Sequence, residues 1–184
     1  MKQFIFCLFI SSGFMTACKQ TTDPASTQTS MDTTMAIRNM MTTIEQETNY
    51  FFAGDYTAWT GTWVHDSRAM QGWNNNDGTF DAAIGWDNID RQGKAWIQQY
   101  YQNGERVIHP SVKREKPAAV FFSENTAFLS WKQYNADSTN KTFVLSQETR
   151  LMQQIQGRWK ILTVLSLWDS KHKIPADSLP TNVY

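Results

Sequence analysis

The chain has 184 residues, with 17 basic and 17 acidic side chains, and 41% of its residues are hydrophobic. This length allows one domain with short extensions, and the hydrophobic content excludes a disordered chain. Because the charges are balanced and evenly spread, no basic surface for a phosphate backbone is expected, and nucleic acid is not an expected partner.

The first 17 residues have the pattern of a lipoprotein signal peptide. Lys2 precedes an apolar run from Phe4 to Phe14, which is too short to span a bilayer as a permanent helix. Residues Met15-Thr16-Ala17-Cys18 resemble a bacterial lipobox, which implies cleavage before Cys18 and attachment of lipid to its thiol. The alternative is an ordinary secretory signal that leaves Cys18 as a free thiol. Because Cys18 stands where the apolar run ends, the lipoprotein interpretation is favoured, with a periplasmic or outer-membrane location in the bacterial cell envelope.

Residues 18–32 are rich in Thr, Ser and Gln and are predicted to form a flexible tether between the lipid and the folded part. Cys7 would leave with the signal peptide and Cys18 would carry the lipid, so no disulfide is expected in the folded part. A domain without disulfides depends on its core for stability.

Residues 33–173 are predicted to form one domain, which begins with a long helix. Apolar residues recur at a helical period from Met35 to Phe52. Thr33 or Thr34 is the expected N-cap, and Gly54 is expected to end the helix in the left-handed conformation.

Two further helices and a short strand are predicted next. Asp55 is the expected N-cap of a helix from Tyr56 to Val64. Residues 70–73 form a strand candidate, and the following residues up to Gly78 are rich in turn formers. Asp87 is the expected N-cap of a third helix that runs to Gln102.

From Val107 onward the hydrophobic period changes to two, which predicts strands. Short joints between successive strands indicate an antiparallel meander. The four predicted strands are 118–122, 126–134, 142–155 and 158–168. Residues 174–184 are expected to be an irregular tail. Helices that precede a run of long strands predict an α+β fold, in which the helices cover one face of the sheet.

Several segments together resemble the NTF2-like (SnoaL-like) family. They are Ala53–Trp59, Trp63–Asp66, Asn125–Trp131, Glu148–Leu151 and Gln156–Ile161, in this order and spacing. The resemblance extends from Ile37 to Trp168. It implies a cone, in which a strongly curved antiparallel sheet wraps around the N-terminal helices and leaves one end open. It also implies that a homodimer through the outer face of the sheet is common.

The eight tryptophans are the most unusual feature of the composition. A cone needs large residues to fill its taper, so Trp96 and Trp159 are assigned to the core. Four others lie near element ends or beside polar residues, where an indole can face a cavity with its N–H towards a partner. The predicted pocket-lining tryptophans are Trp63, Trp73, Trp131 and Trp168.

Glu148 and Arg150 are the most informative charged pair. They stand two residues apart on a predicted strand and therefore share a face, together with Val144, Ser146 and Met152. If that face is concave, the carboxylate and the guanidinium point into the cone and can fix the polar end of a ligand. If it is convex, they form a surface ion pair or part of a dimer interface.

No catalytic set is identified. The candidates for acid–base chemistry are Glu148, His65 and Asp66, although a histidine at a helix C-terminus is also explained by the helix dipole. No His, Asp or Glu spacing resembles a metal site, and no cofactor motif is present in the sequence.

Three functions remain open, in this order of preference. The first is a membrane-tethered module that binds a small apolar or aromatic ligand in the cone. The second is a homodimeric interaction protein of the cell envelope. The third is a metal-independent acid–base enzyme of the dehydratase, isomerase or cyclase type. The superfold itself does not choose between them.

Overall fold

The computed structural model describes residues 32–102, residue 109 and residues 111–184, without the side chains of residues 100–102. The predicted signal peptide (1–17), the lipid site at Cys18 and the tether up to residue 31 lie outside the described residues. In the described part the helices are α1 (Thr33–Ala53), α2 (Tyr56–Gly61) and α3 (Trp86–Gln102). The strands are β1 (Met70–Asn74), β2 (Phe80–Ile84), β3 (Val112–Arg114), β4 (Ala118–Ser123), β5 (Thr126–Ala136), β6 (Thr142–Ile155) and β7 (Arg158–Pro175).

Helix α1 is the predicted long helix, with one correction at its start. The N-cap is Asp32, whose carboxylate accepts hydrogen bonds from the backbone N–H groups of Thr34 and Met35, so neither Thr33 nor Thr34 caps the helix. A carboxylate can accept from two of the first-turn N–H groups that have no partner within the helix, and its negative charge is also favoured there by the helix dipole. At the other end Gly54 adopts the predicted left-handed conformation with φ of 72°.

Helix α2 begins as predicted, with Asp55 as its N-cap, but it ends at Gly61 and not at Val64. Trp63 therefore lies just beyond the helix, where its backbone forms a parallel bridge to Ile161. The Tyr56 hydroxyl donates a hydrogen bond to Asp90 of α3, and this bond raises the pKa of Tyr56 to about 12. The bond joins α2 to α3.

The seven strands form one mixed sheet that is curled and not closed. The hydrogen-bonded order is β2-β1-β7-β6-β5-β3, and β4 also pairs with β5. The meander from β4 to β7 is antiparallel as predicted, whereas β1 pairs with β7 in parallel. The short strands β2 and β3 were not expected from the sequence, because they are edge strands with few buried residues.

The main core lies between the helices and the concave face of the sheet. Ala127 and Leu129 of β5, Met152 of β6 and Ile161 of β7 are fully buried there against Met40 and Ile44 of α1. Trp159 belongs to this core as predicted. Trp96 does not, because 39% of its side-chain surface is exposed. Its position on α3 places it at the rim of a cavity.

Strand β7 is longer than predicted, and the chain after it returns to the sheet. It continues to Pro175 and is followed by a 3-10 turn, Ala176–Ser178. Tyr184 then exchanges two backbone hydrogen bonds with Arg114, at 2.9 and 3.0 Å. The irregular tail is therefore held against β3.

Candidate functional site

The alternation of β6 places the predicted charged pair on the concave face. Ser146, Glu148, Arg150 and Met152 are buried in turn, with Glu148 only 1% exposed. The register then defines one row across four strands, in which Trp131 lies opposite Glu148, Glu148 opposite Ser166 and Ser166 opposite Trp73. The sheet thus brings three of the predicted site residues, from β5, β6 and β1, into a single row.

The Glu148 carboxylate is surrounded by donors. The Ser146 hydroxyl donates to Oε1 at 2.7 Å, and Oε2 accepts from the Ser166 hydroxyl at 2.6 Å and from Nη1 of Arg150 at 2.9 Å. The same Nη1 donates to the backbone oxygen of Thr149 at 2.9 Å. The guanidinium carbon lies 5.2 Å from the ring centre of Trp131. The pair is therefore internally compensated, and a carboxylate with three donors has little capacity left for a ligand.

An inner cavity of about 180 Å³ lies beside this pair, between the helices and the concave face. Each element that surrounds it contributes at least one side chain: α1, α2 and the segment after it, β1, α3 and β7. Six of its lining residues are aromatic, and Gln71, Gly93 and Val164 complete the wall. The lining residues are Glu47, Thr48, Phe51, Phe52, Trp59, Trp63, Gln71, Trp73, Gly93, Trp96 and Val164.

The aromatic rings form a box because they meet at steep angles. Phe51 and Trp59 are tilted by 60° with centres 5.9 Å apart, and Phe51 and Trp96 meet at 77°. Trp59 and Trp63 are also tilted by 60°, and Trp73 meets Trp96 at 45°. Gly93 makes this packing possible, since a Cβ at that position would lie 2.2 Å from the Trp59 ring.

Glu47 is the only ionisable side chain among the described residues that line the inner cavity. Its Oε1 accepts from the Trp59 indole at 2.8 Å, and its Oε2 accepts from the Thr48 hydroxyl at 3.3 Å. Burial raises the pKa of Glu47, and the Trp59 hydrogen bond and the charge of Arg150 oppose the rise without cancelling it. Ionisation of this carboxylate therefore costs free energy in the folded protein.

Sequence analysis did not identify Glu47, although a signal for it exists. Glu47 follows Ile44 by three residues and precedes Phe51 by four, so it lies on the apolar side of α1. An acid on the buried side of an amphipathic helix is unusual and indicates a functional position.

Trp63 carries an unused donor beside Glu47. Its side chain is 1% exposed, and its Nε1 has no hydrogen-bond partner in the described structure. The indole N–H acts on Glu47 as a weak hydrogen-bond donor that slightly lowers the pKa of the carboxyl, but it does not reach the distance and angle of a formed hydrogen bond. A buried N–H without an acceptor is costly, and it is a feature that a bound molecule can satisfy.

A wider outer cavity of about 640 Å³ shares Trp73 and Trp96 with the inner one. Trp168 and the loop from Asn74 to Asp77 form its other side. Asn74 fixes this loop to β7, because its side chain accepts from Trp168 N at 2.7 Å and donates to Trp168 O at 3.0 Å. The loop that sequence analysis left without a role therefore borders the outer cavity.

The structure places the six predicted ligand-binding residues in two groups. Trp63 lines the inner cavity, Trp168 lines the outer one, and Trp73 lines both. Trp131, Glu148 and Arg150 line neither of these cavities, and Ser166, which lines the outer one, donates a hydrogen bond to Glu148. The predicted face is thus brought together, but its charged pair is not part of the lining of either cavity.

His65 and Asp66 do not join this site. His65 is exposed, stacks on Trp86 with ring centres 4.0 Å apart, and contacts the backbone oxygen of Thr60. Asp66 forms a surface ion pair with Arg68 at 2.8 Å, and the hydrogen bonds from Arg68 lower the pKa of Asp66 to about 2. Neither residue lines either cavity.

Two features are absent from the described residues. No group of three or more His, Cys, Asp or Glu side chains in this part of the chain is arranged to hold a metal ion. Among the described helices, none has the length and apolar character needed to cross a membrane.

Comparison with known proteins identifies the fold. An NTF2-like protein of unknown function from Shewanella oneidensis superposes with a TM-score of 0.52 at 16% identity, covering 72% of this chain and 99% of the other. The chain has the NTF2-like fold. A candidate scytalone dehydratase from Novosphingobium aromaticivorans gives a TM-score of 0.54 at 12% identity, covering 78% and 89%. The NTF2-like resemblance drawn from the sequence is therefore confirmed.

A third similar structure is an assembly module. The association domain of C. elegans CaMKII superposes with a TM-score of 0.51 at 14% identity, covering 72% of this chain and 95% of the other. No protein-family model matches the chain, and no curated protein matches it in sequence. At these identities the structural matches establish the fold alone.

Proposed function

We propose that this NTF2-like domain binds a small, largely apolar or aromatic ligand in the inner cavity of its cone. The observation that carries the proposal is the aromatic box around an unpartnered Trp63 N–H and a partly buried Glu47. A pocket with mostly apolar walls and a few convergent polar groups is the usual form of a small-molecule site.

The size of the cavity limits the ligand. A dry apolar cavity of about 150 Å³ holds a molecule such as benzene. The inner cavity of about 180 Å³ would therefore hold one ring or one branched alkyl group. A larger ligand would extend past Trp73 and Trp96 into the outer cavity.

Intrinsic tryptophan fluorescence tests this proposal, since four of the eight tryptophans line the inner cavity. The purified protein is titrated with benzyl alcohol, indole and 3,3-dimethyl-1-butanol as probes. We expect a saturable change with at least one probe, which Trp63→Phe weakens or removes. Absence of a saturable change with every probe, and with the cation used below, would overturn the proposal.

The membrane attachment also remains a proposal, supported by the lipobox-like segment that ends at Cys18. Expression of the full chain in a bacterial host is expected to place the protein in the membrane fraction, with lipid on an N-terminal Cys18. Cys18→Ser is expected to release it into the soluble fraction. A soluble wild-type protein with an unmodified Cys18 would contradict the proposal.

Homodimer formation through the outer face of the sheet is a second candidate function. Val120 and Leu167 are apolar and more than half exposed on that face, and Phe128 and Leu165 lie beside them in the register. The similarity to an association domain supports the same idea. Sedimentation over a range of protein concentrations measures the mass of the protein in solution, and Leu167→Lys is expected to lower that mass. Met35 is an exposed apolar residue on α1, and Met35→Lys is expected to leave the mass unchanged. A wild-type protein that stays monomeric at all concentrations would refute it.

A further inference from the structure

We infer that the ligand of the inner cavity is an organic cation, such as an alkylated ammonium group, with Glu47 as its counterion. This inference rests on the proposed function and names the chemical class of the ligand. It starts from the distribution of charge around the two cavities, not from the shape of the cone.

The acid in the inner cavity lacks a cationic partner of its own. The charge of Arg150 acts on Glu47, but Nη1 of Arg150 donates to Glu148 and to the Thr149 carbonyl. The Glu148–Arg150 pair is neutral overall, so Glu47 leaves the interior with one uncompensated negative charge when it is ionised. Within the described residues Glu47 forms no salt bridge.

The outer cavity, which shares Trp73 and Trp96 with the inner one, carries the same sign of charge. Asp77 is the only ionisable side chain among the described residues that line the outer cavity. Hydrogen bonds from Thr79 lower the pKa of Asp77, so its carboxylate stays ionised. A cavity whose outer and inner ionisable groups are both acidic concentrates cations and repels anions.

The walls complement a cation as well. The faces of aromatic rings carry negative partial charge, and tryptophan binds cations most strongly. Trp59, Trp63, Trp73 and Trp96 surround the cavity at mutual angles that present faces in several directions. Quaternary ammonium groups are recognised in this way by aromatic cages, and the Trp63 N–H remains available for an oxygen on the same ligand.

The test compares choline with 3,3-dimethyl-1-butanol, which has the same shape without the charge. Both are titrated against the purified protein by tryptophan fluorescence at neutral pH. We expect choline to bind about tenfold more tightly than the alcohol, through the ring faces and the counterion together. Glu47→Gln keeps the shape of the side chain and is expected to reduce the preference for choline to about threefold, because the ring faces remain.

A second variant does not depend on the buried carboxylate. Trp96→Leu replaces a partly exposed ring of the cavity wall by an aliphatic side chain. It is expected to weaken choline binding several-fold and to change binding of the alcohol by less than about twofold. Phe122→Leu, an exposed aromatic position on β4 outside both cavities, is the matched control and is expected to change neither.

Each outcome separates the two proposals. Equal affinity for choline and the alcohol, or a preference for choline that is undiminished in Glu47→Gln, overturns the cation inference and leaves the ligand pocket in place. Binding of benzyl alcohol or indole without binding of choline does the same. Failure of all four compounds to bind overturns the pocket itself.

Discussion

Two acids that lie 101 positions apart in the sequence, Glu148 buried and Glu47 half-buried, meet very different surroundings in this cone. Glu148 accepts hydrogen bonds from two serines and one arginine, and its charge is balanced by Arg150. Glu47 accepts from one indole and one hydroxyl, has no salt bridge in the described structure, and has a raised pKa. Glu148 has a counterion and three hydrogen-bond donors within the fold, whereas Glu47 has no counterion and lines a cavity, and an acid of the second kind indicates a binding site.

The largest expected effect tests the structural role of the Glu148 pair. Glu148→Ala leaves the Arg150 guanidinium buried without its counterion, which costs about 3–5 kcal/mol in the free energy of unfolding. Denaturant unfolding measures the loss. The double variant Glu148→Met/Arg150→Met removes both charges and is expected to lose less than Glu148→Ala alone. A loss below about 1 kcal/mol for Glu148→Ala would show that the pair is not structural.

The second prediction tests the surroundings of Glu47 through the packing of Gly93 against the Trp59 ring. A Cβ at this position would lie 2.2 Å from the Trp59 ring, and Trp59 is the residue that holds Glu47. Gly93→Ala is therefore expected to destabilise the protein by about 1–3 kcal/mol and to weaken ligand binding. Gly61→Ala is the matched control, because its new Cβ meets open space. The prediction fails if both variants unfold at the same denaturant concentration.

The third prediction concerns the cost of Glu47. Its folded pKa lies above the ordinary 4.5, so the folded state holds its proton more tightly than the unfolded state does. The contribution of Glu47 to the free energy of unfolding is therefore fully present below about pH 4.5. It is lost as the pH rises through the pKa of the folded state. The Glu47→Gln variant has no carboxyl group to ionise, so it does not lose this stability. We therefore expect the variant to be more stable than the wild type only above about pH 4.5.

Thermal unfolding of the wild type and Glu47→Gln across pH 4–8 measures this effect. We expect equal unfolding temperatures at the acidic end and a modestly higher one for the variant at neutral pH. A higher unfolding temperature for the wild type at neutral pH would mean that Glu47 is stabilised by contacts other than those described. A gain in stability with a loss of binding is typical of a functional position.

The smallest effect is expected at the exposed residues that sequence analysis also considered. His65→Ala and Asp66→Asn are expected to leave probe and choline binding unchanged, because neither residue lines a cavity. Asp66 has a pKa of about 2 through Arg68, so its charge does not change across pH 4–8. A clear loss of binding in either variant would shift the site towards the end of α2.

Local signals in the sequence were sufficient for much of the fold. Gly54 and Asp55 mark the joint between α1 and α2, since a left-handed cap and an N-cap each require particular residue types. The alternation and turns around β6 predict its bounds, 142–155, without error. The short strands β2 and β3 were missed because they are paired edge strands with little burial, and the parallel pairing of β1 with β7 joins segments distant in sequence.

For the candidate site as well, some features follow from the local sequence and others depend on the packing of distant segments. The sequence alone determined that Glu148 and Arg150 share a face and that tryptophans are numerous enough to line a pocket, because strand geometry and composition are local properties. That this face is concave depends on the curvature of the whole sheet, because a period of two is the same on either side of a sheet. The packing of the elements also brings Glu47, from a helix, and not the paired Glu148, to the inner cavity. The curvature of the sheet and the packing of α1 against it determine which acid remains uncompensated.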